Sequence, residues 1–310
     1  MRSPATGRRY AIRRRRATPD RVATMQAMPL SARPVISFLS DFGLDGAAAI
    51  CRGVILSICP EAQIIDIAHS IRKFAVGDGA FILSTALPFM PVGVHLAVID
   101  PGVGTERQPV ALRVARGDLL VGPDNGLLIL GAEALGGVIE ARRLDNRALW
   151  LSTATSSTFH GRDLFAPVAA RLVAGSARFD EVGSALEVDA LVTLPPAVAV
   201  VGEGWLEADV IYVDSFGNLR LAGGAQELVQ ALGDVSGEPR VRIEVSDTAV
   251  GAARVEEARF AATFGAVSAG ATLLYIDSSG HLALADNQGS LATRLRVATG
   301  ARLRISSSDS

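Results

Sequence analysis

From Val35 onward, runs of β-branched and other apolar residues alternate with stretches whose apolar positions recur every three or four residues. VISFLSD (35–41) reads as a strand buried on both faces, followed by a helix over about 46–58 that Pro60 ends. IIDIA (64–68) predicts the next strand, GDGAFILSTAL the next helix, and VHLAVID (94–100) a third strand running into the glycine-rich loop PGVGT. VALRVA and LLVGPDNG extend the sheet, LLILGAEAL is a helix, VIEARRL a strand, and Thr158–Ala174 a long amphipathic helix. Strands separated by helical crossovers predict an α/β domain over 35–195, with a mostly parallel sheet covered by helices on both faces. The pattern changes at LPPAVAV (194–200), which reads as a proline-bearing linker. DVIYVDSFGNLRL, PRVRIEV, TLLYIDSSGHLALAD and ARLRIS are short alternating runs, with DSFGN and DSSG as hairpin turns. They predict a mainly antiparallel β domain over 196–310.

Composition narrows the class. With 310 residues, 49% hydrophobic and 20% charged, the chain has room for two cored domains and is not a disordered or collagen-like sequence. No apolar run reaches the ~18–20 residues that span a bilayer, so no membrane role is expected. Cys51 and Cys59 have no CxxC spacing and are too few for a disulfide scaffold, which fits a reducing, cytoplasmic setting. The net charge of −2 conceals an asymmetry: residues 1–34 carry +8 and the remainder −10. An acidic body argues against nucleic acid as a partner. The head has no apolar periodicity and no apolar core of a signal peptide, and Arg13–Arg16 repel one another. It reads as a disordered Arg-rich extension, or as the product of a start upstream of one at Met25 or Met28; an organellar or anionic-surface role is the alternative.

Candidate chemistry gathers at strand ends, where α/β sheets bind ligands. Asp41 ends the first strand, Asp100 the third, and Asp124 and Asn125 follow another, each beside glycines that let a ligand approach the backbone. There is no GxGxxG, no P-loop lysine (Lys73 is the only lysine) and no GxSxG elbow. The histidines His69, His95, His160 and His281 show no paired metal-ligand spacing, so no metal is expected. His160 sits at the predicted start of the long helix, where an imidazolium is disfavoured. It is either a neutral proton acceptor or a capping or core residue.

Six motifs occur in order: SDFG (40–43), VIDPGVGTER (98–107), VGPDNG (121–126), SSTFHGRD (156–163), VDSFGN (213–218) and NQGS (287–290). Together they resemble the S-adenosyl-L-methionine (SAM) hydroxide adenosyltransferase family, over about Val35 to Arg304. The resemblance implies an N-terminal α/β catalytic domain and a C-terminal antiparallel β domain that completes the SAM site. It also implies homotrimers, with SAM held between neighbouring subunits, and hydrolysis of SAM to adenosine and methionine with no cofactor. The family's Asp-Arg-His triad falls on Asp100, Arg107 and His160. By the same resemblance Asp41 grips the ribose hydroxyls, Asp214 the methionine ammonium and Ser278 lies near its carboxylate. Asn218 reads the adenine edge, Phe216 and Phe264 stack on the purine, and Phe74 lies beside the substrate. A halogenating branch resembles the chain elsewhere but has Tyr at the place of Asp100, Thr at Val103 and a halide-binding Ser at Gly161.

Because the sulfonium makes neutral methionine the leaving group, the reaction needs a nucleophile rather than a general acid, and water has a pKa of about 15.7. The triad is expected to hold one water in line behind C5′, with His160 or Asp100 taking the proton. The rival readings are a SAM-dependent halogenase and a SAM-binding module without turnover.

Overall fold

The computed structural model describes residues 8–11, 33–152, 158–245 and 254–308. By internal contacts the chain divides into one unit of Ala17–Leu194 and another that joins Met1–Arg16 to Pro195–Ser310. The head is not wholly outside the fold, as its composition predicted: strand β1 (Arg8–Ala11) pairs antiparallel with residues Val198–Val201. An unpaired sheet edge binds an extended backbone whatever its side chains, a contact that apolar periodicity does not register. Residues 1–7 and 12–32 of the head, and Ser156 and Ser157 of the fourth motif, lie outside the described residues.

The N-terminal unit runs β2 (Val35–Ser40), α1 (Ala47–Ile58), β3 (Gln63–Ala68), α2 (Val76–Ala86), β4 (Val94–Val98), β5 (Pro109–Val114), β6 (Leu119–Pro123), α3 (Ile129–Ala134), β7 (Val138–Arg143), α4 (Ala166–Val173) and β8 (Ala185–Leu186). The sheet order is β3-β2-β4-β6-β5-β7-β8. The first four strands in that order run parallel, and β5, β7 and β8 extend the sheet antiparallel. All six residues of β2 are buried, because Ile36 and Phe38 pack with Ile55 of α1 and Ala169 of α4 while Leu39 packs with Leu83 of α2 and Ala132 of α3. A strand covered on both faces reads as a continuous apolar run.

The helix expected over 158–174 starts as a π-helical turn, Gly161–Phe165, before α4. Pro167 accounts for the change: it has no N–H for the carbonyl four residues back, and its ring crowds that carbonyl. The Asp163 carbonyl accepts the Leu151 N–H at 2.9 Å instead.

The C-terminal unit continues with β9 (Val198–Gly202), β10 (Trp205–Val213), β11 (Leu219–Leu221), α5 (Ala225–Leu232), β12 (Arg240–Val245), β13 (Arg254–Phe260), β14 (Thr272–Ile276), β15 (Leu282–Asp286), α6 (Leu291–Leu295) and β16 (Arg302–Ser307). Its order is β1-β9-β10-β11-β15-β14-β13-β12-β16, and β16 also pairs with β10, closing a barrel around Leu206, Leu219, Leu284 and Ile305. Among the described strands of this sheet only β13 and β14 pair in parallel. Strand β9 begins within the segment that read as a linker. Strand β13 escaped sequence reading because RVEEARF buries only Ala258 and shows no apolar alternation.

Candidate active site

Three strand ends of the N-terminal unit carry the predicted acids. After β4 the chain folds through consecutive turns, with Val103 N–H donating to the Asp100 carbonyl at 3.2 Å and Thr105 N–H to the Gly102 carbonyl at 3.1 Å. A Cβ at Gly102 would lie 3.2 Å from Arg107 Cβ, so the absent side chain lets the loop close. Arg107 thereby returns to Asp100: Nε donates to Oδ1 at 3.0 Å and Nη2 to Oδ2. The two side chains are 7% and 6% exposed, and the Arg107 guanidinium lies 5.4 Å from the Phe165 ring centre.

Arg107 Nη2 also donates to His160 Nδ1 at 3.1 Å. A guanidinium has no acceptor, so Nδ1 is the unprotonated nitrogen and the ring is neutral with its proton on Nε2. Burial and the adjacent Arg107 charge hold the His160 pKa below the ordinary 6.5, against the opposing pull of Asp100 and Asp163. Arg107 Nη1 is buried with no hydrogen-bond partner among the described residues. A buried charged donor left unpaired is unfavourable, and at a polar site it marks where an acceptor belongs. The Asp100–Arg107–His160 constellation is thus one contiguous cluster.

Asp41, past the end of β2, accepts the Phe74 N–H through Oδ2 at 2.8 Å, and its Oδ1 makes no hydrogen bond among the described residues. Phe74 is 68% exposed and has φ 66°, a left-handed conformation strained for a bulky residue. Strain of this kind collects at functional sites. Asp124 and Asn125, expected as substrate contacts, also bond to backbone around the strand ends. The Asn125 amide donates to the Ile99 carbonyl at 2.9 Å and accepts the Leu127 N–H at 3.2 Å, bracing the strand end that carries Asp100. Asp124 accepts the Val192 N–H at 2.9 Å, and burial raises its carboxyl pKa against the lowering effects of that bond and of Arg107.

In the C-terminal unit the DSFGN turn is built on Asp214, whose Oδ1 accepts the N–H groups of Phe216 at 3.0 Å and Asn218 at 2.9 Å. The Asn218 side-chain amide donates one N–H to Asp214 Oδ2 at 2.9 Å, which leaves its second N–H and its carbonyl for a ligand. Gly217 has φ 83°, and a Cβ there would run into Ser290 Oγ, which seats this turn on the NQGS segment. DSSG repeats the design: Asp277 Oδ1 accepts the N–H groups of Ser279 at 2.8 Å and His281 at 2.9 Å. Ser278 is exposed at its tip, as is Phe216 at 76%, and Phe264 meets Tyr275 edge-on at 5.3 Å between ring centres.

Sequence reading missed Arg220, which donates to Asp277 at 2.7 Å and to Tyr275 Oη at 3.1 Å and lies 3.6 Å from Asp214, tying the two turns together. Strand register explains the reach, since Arg220 and Tyr275 both lie opposite Ala283 on adjacent strands. Two Asp-Ser turns framing one arginine were the available signal. Among the described residues, no group of three or more His, Cys, Asp and Glu side chains is placed to hold a metal ion.

Comparison with known proteins identifies the family. The SAM hydroxide adenosyltransferase N-terminal domain matches residues 36–183, and the corresponding C-terminal domain matches residues 208–304. The chain belongs to the SAM hydroxide adenosyltransferase family. A family relative from Salinispora tropica, named (R)-S-adenosyl-L-methionine hydrolase, is 44% identical over 280 residues, covering 89% of this chain and 99% of its own. A fluorinase from an Actinoplanes species is more distant, at 30% identity over 90% of this chain and 99% of its own. The crystal structure of an uncharacterized conserved protein from Thermotoga maritima has a TM-score of 0.78 and 35% identity, covering 87% of this chain and 99% of that one.

Proposed function

We propose that the protein hydrolyses S-adenosyl-L-methionine to adenosine and L-methionine, with an oxygen nucleophile derived from water displacing the thioether from ribose C5′. The observation that carries this reading is Nη1 of Arg107, buried beside Asp100 and His160 and without a partner among the described residues. Nη1 receives the nucleophilic oxygen and lowers the energy of the negative charge it develops. With Nδ1 already accepting from Arg107, His160 stays neutral and contributes its Nε2–H as a donor. Asp100 therefore takes the proton, through the lone pairs that Arg107 leaves free. The leaving group departs uncharged, and this route draws on no cofactor or metal.

Halogenation is disfavoured by packing as well as by charge. A side chain at Gly161, where the halogenating branch has its serine, would meet Phe42 Cζ at 2.9 Å and Phe159 Cε2 at 3.3 Å. The Asp100 carboxylate repels a halide. Asp41 grips the ribose diol with Phe74 beside it, and the Asp214 and Asp277 turns hold the amino-acid and adenine ends. The working enzyme is a trimer in which neighbouring subunits share each site. No helix among the described residues is long and apolar enough to cross a membrane, and Cys51 and Cys59 are free buried thiols. We place the reaction in the cytoplasm on that basis.

Incubation with SAM in 18O-labelled water tests the reading. Label is expected in the 5′-hydroxyl of adenosine, in equal amount with methionine, and without dependence on chloride. Label in methionine, or a halogenated nucleoside, overturns it.

A further inference from the structure

A hydrogen-bonded chain outside the triad runs Ser40–His69–Asp66–Arg52. Ser40 Oγ lies 2.8 Å from His69 Nδ1, His69 Nε2 lies 3.0 Å from Asp66 Oδ1, and Arg52 pairs with Asp66 Oδ2. Asp66 and His69 are three residues apart and would face opposite sides of a regular strand. The register between β2 and β3 slips at Ile67, Phe38 opposing Asp66 and Leu39 opposing Ala68, so a bulge turns the two residues to the same side. The order serine, histidine, carboxylate is that of a nucleophile triad, but Ser40 is fully buried and its Oγ already accepts the Phe42 N–H at 3.3 Å. No substrate reaches it.

The chain converges on the residues flanking Asp41. The His69 side chain holds Ser40 on one side, and its carbonyl accepts the Gly43 N–H at 2.7 Å on the other. The imidazole is itself fixed edge-on against Phe38, with ring centres 4.6 Å apart. Asp41 lies between these two anchors and extends its carboxylate to the strained Phe74 N–H. We propose that His69 is a positioning residue for the reaction: by clamping Ser40 and Gly43 it sets the direction of the Asp41 carboxylate toward a vicinal diol on the substrate sugar. This rests on reading Asp41 as the diol grip.

The test compares adenosine with 2′,3′-dideoxyadenosine, which lacks the diol, by calorimetric titration of wild type, His69→Ala, His69→Asn, Asp41→Ala and the Asp41→Ala/His69→Ala double variant. His69→Ala is expected to weaken adenosine binding about tenfold or more and dideoxyadenosine less than twofold, because a carboxylate–diol contact is a charge-assisted pair of hydrogen bonds. The double variant should bind adenosine no more weakly than Asp41→Ala. Asn, whose amide can still bond Ser40, should recover most of the loss. For SAM, KM should rise while kcat changes little. Equal weakening of both nucleosides, additive loss in the double variant, or no rescue by Asn would make His69 a fold-stabilising residue only and overturn the proposal. If wild type bound the two nucleosides equally, the diol grip and this proposal would fall together, whereas SAM turnover is judged separately by its products.

Discussion

Replacing His160 by Gln separates the two roles open to that ring. In the structure Nδ1 accepts from Arg107 at 3.1 Å, which leaves Nε2–H as a donor and gives the ring no free basic nitrogen. Gln reproduces both functions, with Oε1 as acceptor and Nε2 as donor, but cannot take a proton. A hydrogen bond to a charged group contributes about 1.5–3 kcal/mol, so removing it with His160→Ala should lower kcat by roughly 10- to 150-fold. His160→Gln should stay within about tenfold of wild type, whereas loss of a general base costs roughly 10²–10⁴-fold. The assay is release of adenosine and methionine at saturating SAM, repeated across pH. Protonation of Nδ1 would eject the Arg107 hydrogen bond, so wild-type kcat should fall on the acid side with an apparent pKa below 6.5, the direction in which burial and Arg107 move this ring. That acid limb should vanish in His160→Gln. A Gln variant as impaired as the Ala variant, in the 10²–10⁴ range, would show that His160 accepts the proton and would refute the assignment to Asp100.

Further outcomes follow from packing and charge. Gly161→Ser should introduce no chloride-dependent product and should lower stability by about 1–3 kcal/mol in urea unfolding, because its Cβ would meet Phe42 Cζ at 2.9 Å. Asp118 is fully buried between His95, at 2.9 Å, and Arg116, at 2.7 Å; Asp118→Asn should cost about 3–5 kcal/mol. Burial alone would raise the Asp118 carboxyl pKa, but the hydrogen bonds from His95 and Arg116 prevail and hold it well below 3.8. Its contribution is therefore complete above the ordinary carboxylate range and is lost as pH falls through and below 3.8, and the Asn variant should lack that part of the acid transition. His160 acts in the same direction at higher pH: its folded pKa lies below 6.5, so stability declines as pH drops from 6.5 toward the lowered value and no further beyond it. Gly217→Ala should raise KM for SAM with the α/β unit intact by circular dichroism, since residue 217 has φ 83° and abuts Ser290; an unchanged KM would separate this turn from the substrate.

Much of the architecture was written locally. Strands β2 and β4 announced themselves because burial on both faces demands largely apolar runs, and the acids at their ends stood out against those runs. The DSFGN and DSSG turns were legible because a short carboxylate that accepts backbone N–H groups two and four residues on is a local device. The π-turn at Gly161–Phe165 was hidden, although its cause, Pro167, was visible, because the freed carbonyl finds its partner at Leu151. Strand β1 was hidden because edge pairing depends on backbone rather than pattern.

The sequence by itself determined the α/β class of the first half, the β-rich class of the second and the presence of Asp100, Arg107 and His160 in family motifs. Of the four histidines it singled out His160 and left His69, His95 and His281 without a role. Only the tertiary structure decided that His160 is held neutral through Nδ1, that His95 is enclosed in a core network and that His69 clamps the loop around Asp41. It also showed Asn125 bracing a strand end and Arg220 tying two turns. The physical reason is range. Propensity and periodicity act between residues a few positions apart, whereas a tautomer, a buried unpaired donor or a shifted pKa is set by groups 29 or 53 positions away that meet only when the sheet forms.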